Sequence, residues 1–158
     1  MNALTDAEIR ALNEALDDEY QAWATYDQVI ADFGEVAHFR HIREAEARHI
    51  AALRTLFARY GQSVPENPWL GRVPRFTSLT EACDAGVAAE VANAALYDRL
   101  LAATERPDIL GVFRRLQAAS QERHLRAFER CAQGFGGGGG YRWGRGGGRW
   151  GGPAGLAG

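Results

Sequence analysis

Lysine is absent from this chain of 158 residues, and all 18 basic side chains are arginine. We read that as encoding bias, in step with the abundance of alanine and glycine, and not as a mark of function. Basic and acidic residues nearly cancel, 18 against 20, for a formal net charge of −2. Such a balance provides no strong field for steering nucleic acid or an acidic partner. Long apolar runs are also missing. None approaches the ~20 residues that cross a bilayer, so no membrane span is expected. The first residues lead straight into a helical pattern instead of a charged and apolar leader, which sets a cytoplasmic expectation. A trimmed leader would leave the same start and an extracytoplasmic protein. With only Cys83 and Cys131 present, a multi-bridge disulfide framework is excluded. Three of the five prolines, Pro65, Pro68 and Pro74, share one stretch, with long proline-free segments on both sides of it.

What is present suits one globular domain, with 46% hydrophobic and 24% charged residues. Thr5 and Glu8 form a capping box that opens the first helix. Its apolar stripe reads Ile9, Leu12, Leu16, Glu19, Trp23, Tyr26 and Ile30, with Glu19 where an apolar side chain belongs. Asp17 and Asp18 fall off that stripe and are expected in solvent. A second stripe, Val36, Phe39, Ile42, Glu46, His49, Leu53 and Leu56, follows after the short turn at Gly34. A turn so short makes the two helices an antiparallel pair. Ser78 and Glu81 open a third helix, whose stripe holds Cys83, Glu90, Asn93, Tyr97 and Leu100. Pro107 suits the first turn of a fourth, with Ile109, Phe113, Leu116, Ser120, His124, Ala127 and Cys131 inward and Gly134 as its end. The predicted helices lie near residues 6–32, 35–60, 79–104 and 107–133.

Residues 62–77, with their prolines, cannot be helix interior. Extended at ~3.3 Å per residue, they are long enough to return along a whole helix of the bundle. Trp69, Leu70 and Phe76 are expected to pin this crossover down. Residues 135–158 are rich in glycine, with Arg142, Arg145, Arg149, Trp143 and Trp150 interspersed. They cannot build a core and are expected to be disordered, so the predicted domain is 1–134. Arginine and aromatics spaced by glycine can bind RNA loosely. A solvated extension is the plainer reading, and no nucleic-acid partner is expected.

The two halves repeat each other. Glu19 is followed by Tyr26 and Asp27, and Glu90 by Tyr97 and Asp98, at the same spacing. Glu46 and His49 lie over Gln121 and His124. This is an internal duplication of a helix hairpin, and it directs Glu19, Glu46, His49, Glu90 and His124 toward one centre. A buried unpaired carboxylate costs several kcal/mol, in order of magnitude, so these groups need partners. A metal ion is one solution, and Glu-x-x-His projecting into a bundle is a known way to hold it. A buried salt-bridge network with Arg43, Arg48 or Arg123 is the other. His38 and His41 fall outside the stripe and read as surface residues.

At these residues the chain resembles a ferritin-like four-helix bundle, from an uncharacterised bacterial family related to rubrerythrin. The resemblance spans about Thr5 to Gln133. It implies two antiparallel hairpins joined by a long crossover. It also implies a carboxylate-bridged di-iron site of the form Glu, Glu-x-x-His, Glu, Glu-x-x-His. Glu19, Glu46, His49, Glu90 and His124 match that pattern, while Gln121 departs from it. Tyr26, Tyr97 and Asn93 would stand near the site, as ligand supports or as packing. The rubredoxin-like Cys-x-x-Cys domain of true rubrerythrins is missing.

Two function classes follow. One is a non-haem iron protein, with one or two ions of iron or another divalent transition metal, acting as an oxidoreductase on ferrous iron or peroxide. The other is a metal-free helical module for binding or stress-related assembly, with a vestigial ligand set. A homodimer is compatible with either. Because Gln121 carries no charge, the sequence predicts unequal metal occupancy, tight near Glu46 and His49 and weaker near Glu90 and His124. Cys83 and Cys131 fall level at one end of the bundle, both on inward stripes. They are expected within disulfide reach, or else as two reduced core thiols.

Overall fold

A computed structural model describes residues 2–136; the glycine-rich tail beyond lies outside the described residues. Among the described residues the chain is all-α, with four helical rods and no strand. Helix α1 spans Asp6–Phe33 and α2 spans Ala37–Arg59. Helix α3 spans Leu79–Leu101. The fourth rod begins as α4, Pro107–Ala119, passes through a π-helical turn at Ser120–His124, and continues as α5, Leu125–Gly136. It therefore runs through Gly134, which was expected to end it. Without a positive φ or a proline there, nothing breaks the ladder.

The starts follow the predicted chemistry. The Thr5 hydroxyl accepts from the Glu8 amide, and the Glu8 carboxylate accepts from the Thr5 amide at 2.8 Å. Ser78 caps α3 by accepting from the Glu81 amide. Gly34, at φ 88°, makes the turn between α1 and α2, where a side chain would strain the backbone.

Side-chain pairs fix the helix directions. Glu19 meets His49 and Asp27 meets Arg43, so α1 and α2 are antiparallel. Glu19 meets Tyr97 while Tyr26 meets Glu90, so α1 and α3 are antiparallel as well. The segment between α2 and α3 lies against α1. Tyr20 donates to the Pro65 carbonyl at 3.0 Å, the Trp69 indole donates to Asp17 at 2.9 Å, and Arg75 pairs with Asp32. Trp69 and Phe76 pack on the core from this segment. Leu70 does not: it is 59% exposed.

Two apolar clusters fill the bundle. One holds Leu12, Leu16, Leu53, Phe57, Tyr97 and Phe113. The other holds Tyr26, Phe39, Ile42, Cys83, Phe128 and Cys131. Each such side chain contributes about 1.5–3 kcal/mol by leaving water. In the second cluster the rings of Tyr26, Phe39 and Phe128 meet with centroids 5.1–5.9 Å apart. Gly86 lets Phe128 approach α3, since a Cβ there would lie 2.7 Å from the ring. Cys83 and Cys131 form a disulfide, with Cα atoms 5.8 Å apart, tying α3 to α5 across 48 residues. Closing a loop of that length is worth ~4 kcal/mol in the chain-entropy account.

The capping box does more than cap. Thr104 and Arg106 also donate to the Glu8 carboxylate, at 2.7 and 2.9 Å, joining the start of α1 to the α3–α4 turn. Burial pushes the Glu8 pKa up, but the Thr5 amide, the Thr104 hydroxyl and the Arg106 guanidinium outweigh it, holding it at about 2 against 4.5. A depressed carboxyl pKa stabilises the fold above pH 4.5, and that stability is lost as pH falls toward 2. Glu8→Gln should therefore cost on the order of 2 kcal/mol at pH 7. Denaturant melts across pH should show the deficit shrinking through the acid range. A deficit independent of pH would contradict the assignment.

Candidate metal centre

Between the two apolar clusters lies a buried polar layer. Glu19 from α1, Glu46 from α2, Glu90 from α3 and His124 from the π turn are each at most 3% exposed. His49, one turn after Glu46, is half-buried beside them. The five residues expected to converge are thus in one place, and they form two triads: Glu19, Glu46 and His49, and Glu46, Glu90 and His124. Within each triad, potential ligand atoms lie within 4.8 Å of one another. Glu46 belongs to both. Its Oε2 is 2.9 Å from Nδ1 of His49, and its Oε1 is 3.1 Å from Nδ1 of His124. The two imidazoles stack with centroids 5.5 Å apart.

The tyrosines cross between the halves. Tyr97 donates to Oε1 of Glu19 at 2.6 Å, and Tyr26 donates to Oε1 of Glu90 at 2.9 Å. In both cases the other oxygen, Oε2, is left facing a histidine, at 3.2 Å from His49 and 3.6 Å from His124. Burial first, then the charge of Glu90 or Glu19, pushes each phenol well above its ordinary range, so both keep their protons. The tyrosines expected as ligand supports or packing are therefore both: buried, and fixing the orientation of a carboxylate.

Gln121 departs from expectation. It is exposed, whereas Glu46 is buried. Ser120, four before His124, takes the inner place instead, and the π turn spans these two residues. The Ser120 hydroxyl donates to Asn93 Oδ1 at 2.6 Å, and the Asn93 amide donates to Asp18 Oδ2 at 2.6 Å. Asp18 was expected in solvent; α3 packs on that side of α1 and covers it. Burial, with the charges of Glu19 and Glu90, raises its pKa to about 6 against the pull of Asn93. Asp18 and Ser120 are the residues that sequence reasoning left out of the site.

None of Arg43, Arg48 and Arg123 enters the cluster. Arg43 pairs with Asp27, and the other two make no ion pair among the described residues. The carboxylates are balanced instead by the imidazoles. Burial opposes charge on His49, but Glu19 and Glu46 outweigh it and raise its pKa to about 10. For His124, Glu46 and Glu90 outweigh burial and raise it to about 9. Burial and the Glu46 charge push Glu19 up, whereas the two histidines beside it bring Glu46 down despite its burial.

One atom is left over. Nδ1 of His124 is buried and has no hydrogen-bond partner, because neither nearby carboxylate oxygen meets it with hydrogen-bond geometry. An imidazole nitrogen without a hydrogen-bond partner, set between two carboxylates, is a place that a metal ion would fill. Oxygen and imidazole donors suit iron, manganese or zinc.

No protein-family model matches the chain, and no curated protein matches its sequence. The crystal structure of a hypothetical protein from Methanococcus jannaschii is similar in fold, with a TM-score of 0.75. The match covers 86% of this chain and 85% of that one at 22% identity, which shows the fold alone.

Without metal, the raised histidine pKa values stabilise the fold fully below pH 6.5, and that contribution fades as pH rises through 9 and 10. Imidazole nitrogen NMR of the metal-free protein should find both rings protonated at about pH 7.5. Metal uptake should then release protons and strengthen with pH. Rings that titrate near 6.5 would contradict this electrostatic account.

Proposed function

We propose that this chain is a ferritin-like bundle that holds up to two ions of a redox-active transition metal, iron first, for oxidase, peroxidase or ferrous-iron-oxidising chemistry. The observation that carries the reading is the pair of buried triads sharing Glu46, one of them with an orphaned histidine nitrogen. Under this reading the segment between α2 and α3 is the ferritin-like crossover. Bound iron would supply the electron transfer to or from oxygen, peroxide or a further ferrous ion.

The chain's own groups have definite parts. Glu46 offers one oxygen to each side. Tyr97 and Tyr26 each occupy one oxygen of a terminal carboxylate and direct the other inward. The apolar clusters above and below keep bulk water from the layer. A cavity of about 230 Å³ between α1 and α3, lined in part by Asp18, Glu46 and Glu90, gives small molecules or cations a way in. The disulfide weighs toward an oxidising compartment and against the cytoplasmic placement expected from the sequence.

The position of Gln121 removes the reason for unequal occupancy. Each triad has two carboxylates and one imidazole, so the two positions should bind with similar affinity. Anaerobic ferrous titration of the purified chain should give two ions per chain. Glu46→Gln should weaken both by more than the roughly 10- to 100-fold that loss of an outer-shell partner costs, and Gln121→Glu should change neither. Gln121→Glu strengthening one position alone would restore the unequal-site view.

The metal-free reading has one observation in its favour: Nδ1 of His49 is within hydrogen-bond distance of both Glu19 and Glu46. In that case the layer is an ion-pair network that specifies helix register. Absence of stoichiometric metal uptake would decide for it.

A further inference from the structure

The histidines have a second side, and its charge is opposite to that of the carboxylate side. Between α2 on one side and the π turn and α5 on the other opens a cavity of about 320 Å³, lined by Arg48, His49, Arg123, His124 and His41. Ile42 and Ala127 supply apolar wall. No carboxylate lines it. Arg48 precedes His49 and Arg123 precedes His124, so the duplication that repeats the histidines also repeats the arginines. Both arginines are exposed, and neither makes an ion pair among the described residues.

Two guanidiniums brought to one cavity repel each other unless something negative sits between them. The other polar residues that line the cavity are His41, His49 and His124. Guanidinium groups present planar donor forks matched to oxyanions, and two facing forks can grip a tetrahedral one from both sides. The opposite cavity, lined by Asp18, Glu46 and Glu90, would repel the same ligand. An anion is therefore favoured on the side of α2, the π turn and α5 over the side of Asp18, Glu46 and Glu90.

We infer that this cavity is a binding site for a small oxyanion of the phosphate type, held between Arg48 and Arg123 next to the paired histidines. The anion is free phosphate or a phosphate ester, whose carbon part would rest on Ile42 and Ala127. The site needs no metal and stands apart from the iron reading.

Calorimetry on the metal-free full-length chain, titrated with inorganic phosphate, tests it. One saturable site per chain is expected. Arg48→Gln and Arg123→Gln should each weaken it by roughly 10- to 100-fold. Both side chains are exposed, and unchanged melting curves would show that the variants fold. Replacing Arg142, Arg145 and Arg149 together by Gln should leave the affinity unchanged. Phenyl phosphate binding more tightly than inorganic phosphate would assign the site to an ester, and equal affinity to the free anion. No saturable binding, binding indifferent to both cavity arginines, or binding lost with the tail arginines would overturn the inference.

Discussion

A single carboxylate, that of Glu46, is shared between two imidazoles in a place almost closed to water. Leaving such a group unpaired would cost several kcal/mol, so the helices must bring partners to it. α2 supplies His49 one turn away, and the fourth rod supplies His124 from the far side. Glu19 and Glu90 then need partners of their own, which Tyr97 and Tyr26 provide from the opposite half. Each hairpin completes the polar shell of the other. Neither half can form this layer alone, and that explains why the duplicated hairpins must pack as one unit.

The apolar clusters are arranged around that demand. The cluster of Leu12, Leu53 and Phe113 closes one end, and the cluster of Phe39, Phe128 and the disulfide closes the other. The polar layer between them sets the register of all four rods, because sliding one helix by a turn would strand a charged group among apolar side chains. Glu8 repeats the same logic on a smaller scale at the end of the bundle, where it binds Thr104 and Arg106.

The number of helices, the capped starts of α1 and α3 and the five central ligand candidates were legible in the sequence. Local rules govern caps, and a Glu or His at a repeated core position is a conspicuous exception to the apolar stripe. Gln121 was misread because the duplication was aligned by residue count, with Gln121 over Glu46. The stripe Leu116, Ser120, His124 already pointed to Ser120, and all three are buried. Asp18 was missed for a different reason. One helical stripe describes one neighbour, whereas α1 packs against both α2 and α3. Glu8 gains its burial from residues 96 and 98 positions away, a contact that no local pattern encodes. Leu70 was expected to anchor the long connection, but hydrophobicity alone does not say which of two adjacent side chains faces inward.

The central claim is that Glu46 is the common ligand of two cation positions. Anomalous diffraction from crystals grown anaerobically with ferrous iron tests it most directly. The account predicts two metal peaks flanking the Glu46 carboxylate, one beside His49 and Glu19, the other beside His124 and Glu90. A layer with no anomalous density, or iron held only at sites away from Glu46, would contradict it.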